Sequence, residues 1–316
     1  MTGVFPFLVR RLLAAIPVLI VISATCFVIF RFAPGDPVTV RAGPRASQEQ
    51  IERVKQNLGL NDPVVVQYGR YMGRLLRGDL GESYKRPGYT VKEIIFPKMW
   101  ISFQLNLLPF FFIYLLGIPV GIYMALRRGT WQDPTMTTSL LLFSAIPVLV
   151  MVPFLQWLFA LKLGWLPPGG WNGILSKSII LPTIVLTVPG IVGIARLTRI
   201  SVIQILSEDF IRTARSKGLS ENVVINRHTL RNALLPLSNG VILGMLGLFS
   251  GTYFVELLFG IPGIGRESYE SIGSRDYDML MAFTIIGAST FILAQMVLDI
   301  VYTIVDPRIR LTGGGV

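Results

Sequence analysis

The sequence predicts an all-α polytopic membrane protein. Apolar residues make up 52% of its 316 residues. Charged residues make up only 15%, which is low for a soluble domain. Several apolar runs also reach the length of about 20 residues that a helix needs to cross a bilayer. These three observations exclude an ordinary soluble enzyme or binding domain.

Six segments are long and apolar enough to be spans: 9–31, 101–126, 135–162, 178–202, 234–258 and 279–305. The first is longer than a signal-peptide core and lacks a convincing cleavage site, so we expect it to remain as a span. Proline and glycine recur in the second to fifth spans. Membrane helices tolerate these residues, so their presence favours a gated path only modestly.

The basic residues follow the predicted topology. The short outside loops hold only Lys162, Lys177, Arg266 and Arg275. With a cytoplasmic N-terminus, the inside segments hold Arg10, Arg11, Arg127, Arg128, Arg196, Arg199, Arg212, Arg215, Lys217, Arg227, Arg231, Arg308 and Arg310. Cytoplasmic loops of membrane proteins are enriched in Lys and Arg. We therefore expect both termini in the cytoplasm, and the net charge of +11 requires no nucleic-acid partner.

The predicted domains are a first transmembrane helix (1–31), an extracytoplasmic insert (32–98), a core of five spans (99–310) and a flexible tail (311–316). The insert opens with a turn at 34–37, and its periodicity predicts helices over 47–58 and 64–76. The second of these carries an aromatic and basic face. That face could meet an extracytoplasmic partner or anionic headgroups, or form a lid over the chain's own helices: Tyr68, Arg70, Tyr71, Arg74 and Arg77.

A polar cytoplasmic stretch at 207–236 begins with a short amphipathic helix. Phe210, Ile211, Ala214 and Gly218 share its apolar arc. Ser207 is the predicted N-cap, and Gly218 the predicted stop. The small pair Ala214 and Gly218 would leave a shallow notch for another protein. From spacing alone, docking and a helix lying on lipid headgroups are equally well supported.

The sequence lacks the motifs of a catalytic or nucleotide-hydrolysing site. It contains one histidine, His228, and no G-x-x-x-x-G-K-[ST] phosphate loop, so neither a catalytic dyad nor nucleotide hydrolysis is supported. Cys26 is the single cysteine, which excludes a disulfide framework. The carboxylates within spans are Glu256 and Asp299, both near span ends, which disfavours an ion-coupled carrier. Asp299 is expected to pair with an arginine, whereas Glu256 could pair, gate or contact substrate.

Two outside loops carry distinct patterns. Residues 164–171 contain Trp165 and Trp171, which are typical of interfacial anchors. Residues 259–266 are rich in glycine and could fold into a vestibule.

The chain resembles the permease subunits of dipeptide and oligopeptide ABC importers. The resemblance spans about residues 5–310 and is carried by segments 33–37 (APGDP), 78–83 (GDLGES), 196–199 (RLTR), 210–219 (FIRTARSKGL), 259–265 (FGIPGIG) and 306–310 (DPRIR). Two departures are the late hydrophobic-Leu-Pro end at 234–236 and the absence of proline after Tyr277. The first lies in the cytoplasmic stretch and the second in an outside loop.

This resemblance implies a type I importer fold with six transmembrane helices. It also implies that the cytoplasmic stretch is the loop that docks on an ATPase, similar to the E-A-A-x-x-x-G signature, with Arg212 in place of Glu as in the peptide branch. The implied ATPase-coupling residues are Phe210, Arg212, Thr213, Ala214, Arg215, Lys217, Gly218 and Leu219. Only Glu256 is a candidate pathway residue.

The same resemblance implies the partners. They are a second, homologous permease, two ATPase subunits that bind ATP and Mg, and an extracytoplasmic substrate-binding protein, in a prokaryotic inner membrane. No cofactor is expected in this chain. Nickel or oligosaccharide importers of the same family are alternatives to a peptide importer, and an ion-coupled carrier or channel and an intramembrane enzyme are the other classes considered.

Overall fold

The computed structural model describes residues 4–32, 38, 46–57 and 59–305. Over these ranges the chain is helical apart from turns, loops and an isolated antiparallel bridge between Glu82 and Thr90. The predicted turn at 34–37, the 306–310 motif and the tail at 311–316 lie outside the described residues.

The principal helices are numbered here in chain order. They are α1 Val4–Phe32, α2 Gln48–Asn57, α3 Val64–Leu76, α4 Val91–Leu126, α5 Gln132–Ser144, α6 Val148–Leu155, α7 Ile180–Leu206, α8 Asp209–Ser216, α9 Leu235–Gly247, α10 Tyr253–Leu258, α11 Ile264–Gly273 and α12 Tyr277–Val305. A π-helical segment, Gln156–Lys162, continues α6. Residues 221–233, here the return segment, form a helical run with π-helical Val224–Leu230 at its centre.

Within the described residues, four unbroken helices are long and apolar enough to cross a membrane: Val9–Phe32, Val91–Leu126, Lys177–Leu206 and Tyr277–Ile300. They match the first, second, fourth and sixth predicted spans. The second is longer than predicted, because its helix begins at Val91. The chain is thus an all-α, multi-pass membrane protein, while the count of six spans stays a prediction.

The third predicted span is not one continuous helix. Its two helical parts, Gln132–Ser144 and Val148–Lys162, are bent by 86° relative to each other. Pro147 lies at the break with an extended backbone, φ −62° and ψ 143°. Proline lacks an N–H and disfavours helical geometry in the residue before it, which accounts for the interruption.

The fifth predicted span, 234–258, is also interrupted. Helix α9 ends at Gly247, and α10 starts only at Tyr253 after the non-helical Thr252, φ −117° and ψ 85°. Helix α9 has 13 residues, fewer than the about 20 that a span requires. Glycine weakens a helix interior by about 1 kcal/mol relative to alanine, and this stretch is rich in it.

The chain divides into two compact units: a terminal unit of Met1–Trp100 and Gly263–Val316, and a central unit of Ile101–Pro262. In the terminal unit, α1 packs along α12. Arg11 of α1 lies 2.9 Å from Asp299 of α12, which confirms the predicted pairing of that aspartate. A buried cluster joins the start of α4 to α11 and α12: Val91, Ile94, Ile95, Ile264, Met279 and Ala282.

The insert's predicted helices are confirmed by α2 and α3. Tyr68 and Tyr71 of α3 pack their rings on Phe27 of α1 at centroid distances of 5.4 and 6.1 Å, and Arg74 lies 3.5 Å from Asp278. Arg70 pairs with Asp62 at 2.6 Å. The structure therefore contains the lid arrangement for Tyr68, Tyr71 and Arg74, whereas Arg70 and Arg77 are exposed.

Ion pairs attach the end of the insert to α11. Glu267, whose side chain is only 5% exposed, lies 3.1 Å from Arg86 and 3.0 Å from Lys98. One turn later, Glu270 lies 3.3 Å from Lys85. The described part of the insert is thus bound into the terminal unit by charge as well as by apolar packing.

Candidate functional site

Helix α8 lies directly after the long helix α7, and its start differs from the prediction. The Ser207 hydroxyl donates to the Gln204 carbonyl at 2.6 Å, within the last turn of α7. The N-cap of α8 is Glu208, with an extended backbone and no side-chain cap bond. The Ser207 N-cap prediction is therefore wrong, because this hydroxyl is used by the preceding helix. Asp209 occupies the first turn, where its charge complements the helix dipole.

The end of α8 agrees with the prediction. Gly218 has φ +75°, and its N–H donates to the Arg215 carbonyl at 2.9 Å. The Leu219 N–H donates to the Ala214 carbonyl at 3.4 Å. This pair of bonds is the Schellman arrangement, which requires a left-handed residue after the helix. Gly218 is therefore a confirmed helix stop.

The inner face of α8 packs against the chain itself. Ile211 and Ala214 form a buried cluster with Val224 of the return segment, and Ile205 of α7 packs against it. The space beside Gly218 is open, since a Cβ there would meet nothing within 4 Å. Ala214 is only 6% exposed, so the predicted notch is wrong on the Ala214 side. The return segment folds back and places Val224 against this alanine, a non-local contact that occupies the space.

The outer face of α8 is exposed, apolar at its ends and basic between them. Phe210 and Leu219 are 43% and 40% exposed, and Arg212, Thr213 and Lys217 are exposed with them. Exposed large apolar side chains next to charged ones are typical of contact surfaces. We call Phe210, Arg212, Thr213, Lys217 and Leu219 the outer surface.

Arg215 links α8 to the return segment. Its guanidinium donates to both carboxylate oxygens of Glu221, at 3.2 and 2.6 Å. These bonds hold the pKa of Glu221 below its ordinary value. The pair joins the end of α8 to the start of the return segment, so Arg215 has a structural partner within its own chain.

A chain of apolar contacts leads inward from α8. Ile205, which touches the α8 cluster, also packs against a second cluster of Ala125, Val202 and Ala233. That cluster joins α4, α7 and the return segment. A displacement of α8 would therefore act on two long helices through side chains that are packed without a break.

Helices α4 and α7 lie very close to each other. A Cβ on Gly121 would lie 2.4 Å from the Ala195 carbonyl oxygen and 2.6 Å from the Thr198 Cβ. Near the same end of α7, Arg199 donates to both oxygens of Asp133 at 2.7 and 2.6 Å. Sequence reasoning missed this pair. An acidic residue in the first turn of α5 and an arginine in the polar end of the fourth span were the available signals.

Glu256, the candidate pathway residue, is completely buried. Its carboxylate accepts hydrogen bonds from the Ser102 hydroxyl at 2.8 Å and the Thr252 N–H at 3.1 Å. The sequence left three alternatives for Glu256: pairing, gating or substrate contact. The structure shows pairing, with Ser102 and Thr252 as hydrogen-bond partners. Its bond to Thr252 closes the turn that starts α10.

The two loops that the sequence predicts to lie outside meet within the central unit. The Gly170 N–H donates to the Phe259 carbonyl at 2.6 Å, and a Cβ on Gly169 would lie 2.5 Å from the same oxygen. Phe259 and Ile261 belong to a buried core cluster, and Trp171 packs against it while Trp165 is exposed. The glycines of the first loop thus allow close backbone approach to the second.

Two family models match the chain. Residues 117–311 match the "Binding-protein-dependent transport system inner membrane component" model, and residues 4–95 match the model for the N-terminal region of such membrane components. The chain belongs to this permease family. The first match begins within the last third of α4 and covers all described helices that follow it, including α8.

The chain is similar to curated permeases over nearly their full length. The permease is 37% identical over 305 residues to the oligopeptide transport system permease protein OppB of Salmonella typhimurium, covering 96% of this chain and 99% of the relative. It is 36% identical over 312 residues to the oligopeptide transport system permease protein AppB of Bacillus subtilis, with the same coverage. A probable peptide ABC transporter permease of Sinorhizobium fredii is 33% identical.

A solved structure supports the fold. An inward-facing structure of the MetNI methionine ABC transporter includes a chain with TM-score 0.54 and 19% identity to this permease, covering 67% of this chain and 96% of that one. At this identity the likeness concerns fold alone. The predicted type I ABC importer fold is confirmed at this level.

Proposed function

We propose that this permease forms half of the translocation pathway of an ATP-driven peptide importer. Support comes from relatives named as oligopeptide permeases, which align with the chain over 96% of its length. The other half would be a second, homologous permease, and an extracytoplasmic substrate-binding protein would deliver the peptide. Both termini would lie in the cytoplasm, as the distribution of arginines favours.

The observation that supports the coupling role is the difference between the two faces of α8. Its inner face is fixed to α7 and the return segment by buried apolar contacts, and its outer surface is open. We propose that an ATPase subunit docks on the outer surface, with Gly218 shaping its edge. Two such subunits would bind ATP and Mg and supply the energy, since this chain's sequence contains no phosphate loop.

The packing also suggests how the motion is transmitted. When the ATPases close on ATP, the docked α8 would move with them. Ile205 and the Ala125, Val202 and Ala233 cluster would pass that movement to α7 and α4. The permease would then alternate between two arrangements of packed helices, because such interfaces switch between discrete states and do not deform gradually. Ala214 would act indirectly, by holding α8 against the return segment.

Truncation of Phe210 tests the docking surface. Phe210→Ala leaves the buried cluster intact, so the permease should insert normally. Because exposed aromatic anchors often account for 2 kcal/mol or more of an interface, we expect ATP-driven uptake to fall about tenfold or more. Phe254→Ala, which truncates an aromatic residue of similar exposure on α10, is the matched control.

The measurement uses the permease reconstituted with its second permease, ATPases and binding protein in liposomes. Uptake of a labelled oligopeptide and ATP hydrolysis are followed together, and nickel and an oligosaccharide are tested as alternative substrates. Normal uptake with normal ATPase stimulation in Phe210→Ala would disprove docking at the outer surface. Uptake of nickel or oligosaccharide without peptide would disprove the peptide assignment but leave the docking result standing.

A further inference from the structure

A small cavity of about 70 Å³ lies in the terminal unit, at the end of α1 that leads into the insert. Its walls come from α1, α3 and the start of α12, and they include Phe27, Tyr71 and Tyr277. By volume it holds about two water molecules, which is also about the room that one tetrahedral oxyanion group needs. The proposed coupling role uses none of these residues.

The cavity wall carries three arginines, Arg31, Arg70 and Arg74, and one carboxylate, Asp278. Arg74 lies 3.5 Å from Asp278, a loose contact, and Arg70 is paired with Asp62. Arg31 donates through Nη2 to the Leu60 carbonyl at 3.0 Å. Among the described residues, no carboxylate forms an ion pair with Arg31. The wall therefore has an excess of positive charge.

Several buried donors in the wall are unused. In the described part of the chain, the Tyr71 hydroxyl and the Nε atoms of Arg31 and Arg74 are buried and have no hydrogen-bond partner. Tyr71 itself is only 4% exposed. Burial raises the pKa of Tyr71, so its hydroxyl keeps its proton and remains a donor. Buried polar groups of folded proteins are nearly always bonded, so unbonded donors on three residues that line one cavity favour an acceptor there, which the donors would reach once the wall side chains turn towards it.

We propose that this cavity binds a phosphate group. Arginine is the preferred residue for phosphate because its guanidinium presents several donors in a planar fork, and Tyr71 would add a neutral hydroxyl donor. The position at the end of a membrane-spanning helix suits a phospholipid headgroup, since arginine side chains near helix ends extend to the membrane interface. Free phosphate has the same chemistry, so the experiment separates the two sources.

The test uses the full-length chain, purified in nonionic detergent and delipidated. It is titrated with phosphatidylglycerol, with inorganic phosphate at constant ionic strength, and with a phosphate-free glycolipid, while thermal unfolding is recorded. Tyr71→Phe removes only an unbonded hydroxyl and should fold normally. Arg31→Gln removes the charge of Arg31, which has no ion pair among the described residues. Arg77→Gln, an exposed arginine just after the same helix α3, is the control for loss of one positive charge.

We expect saturable stabilisation by phosphatidylglycerol and none by the glycolipid. Arg31→Gln should weaken binding about tenfold or more, Tyr71→Phe should weaken it by a smaller factor, and Arg77→Gln should leave it unchanged. Arg31→Lys should restore part of the affinity. If Arg31→Gln fails to fold, the affinity of Tyr71→Phe for phosphatidylglycerol decides whether the proposal holds.

Stabilisation by phosphatidylglycerol alone would assign the site to a lipid headgroup. Equal stabilisation by inorganic phosphate would assign it to a free anion, and both results support a phosphate site. The proposal is overturned if no phosphate compound stabilises the chain, if the glycolipid stabilises it equally, or if Arg31→Gln and Tyr71→Phe both bind like the control Arg77→Gln.

Discussion

The two units of this permease join their helices by different physical means. In the terminal unit, the insert is attached to α11 by Arg86 and Lys98 on the buried Glu267. In the central unit, α4 approaches α7 so closely at Gly121 that no side chain fits between the backbones. Charge pairing tolerates small shifts, since long side chains can follow a moving partner. Close backbone packing does not, so it suits helices that must move together.

The largest effect is expected where backbones touch. Gly121→Ala places a Cβ 2.4 Å from the Ala195 carbonyl oxygen. Because this oxygen belongs to the helix backbone, it cannot rotate away. Overpacking of this kind lowers the free energy of unfolding by about 1–3 kcal/mol. Because the clash here is with a backbone atom, we expect a loss at the upper end of that range. A fall of about 3 kcal/mol in the free energy of unfolding in detergent is expected.

The control for this prediction is Gly193→Ala on α7. A Cβ there meets nothing within 4 Å. Because alanine also favours the helix by about 1 kcal/mol over glycine, this variant should be neutral or slightly more stable. Equal stability of the two variants would show that the close approach of α4 and α7 is not a constraint on the fold.

Next in size is the loss of the buried carboxylate. Glu267→Gln leaves Arg86 and Lys98 facing each other without their shared partner. Breaking a buried ion pair costs about 3–5 kcal/mol, and partial exposure of the two cations lowers the expected loss to about 2 kcal/mol. Thermal unfolding measures it. A double variant, Glu267→Gln with Arg86→Gln, should recover part of the loss, and failure to recover any would argue against the ion pair as the cause.

Sequence patterns predicted the long helices well but not the breaks. Helices α1, α4, α7 and α12 follow from the length of apolar runs alone. The 86° bend after α5 does not, because proline and glycine occur in continuous membrane helices too, and the pattern does not separate a kink from an interruption. Whether Pro147 ends a helix depends on the packing around it.

The candidate site shows the same division between local and non-local information. Gly218 was predictable because a left-handed helix stop is a property of the residue itself. The burial of Ala214 was not, since its position on an apolar arc does not say which surface covers it. Val224, ten residues later, covers it only because the return segment folds back.

The smallest effect concerns the half-exposed ion pairs around Glu270 on α11. Hydrogen bonds from Arg266 and from Lys85 lower the pKa of Glu270 below its ordinary value in the folded protein. A carboxylate with a lowered folded pKa stabilises the fold at pH values above its unfolded pKa. That stabilisation is lost as the pH falls through the folded pKa.

Glu270→Gln should therefore lower the melting temperature slightly at neutral pH, and the difference from the unaltered protein should vanish in acid. Melting curves from pH 7 down to pH 3 measure this difference, and its size should also fall with added salt. Glu208→Gln, which removes an exposed carboxylate with no ion pair among the described residues, is the control for loss of one negative charge. A difference for Glu270→Gln that stays constant through the acid range would mean that Glu270 acts by packing, and the ion pairs described between the insert and α11 would then be those of Glu267.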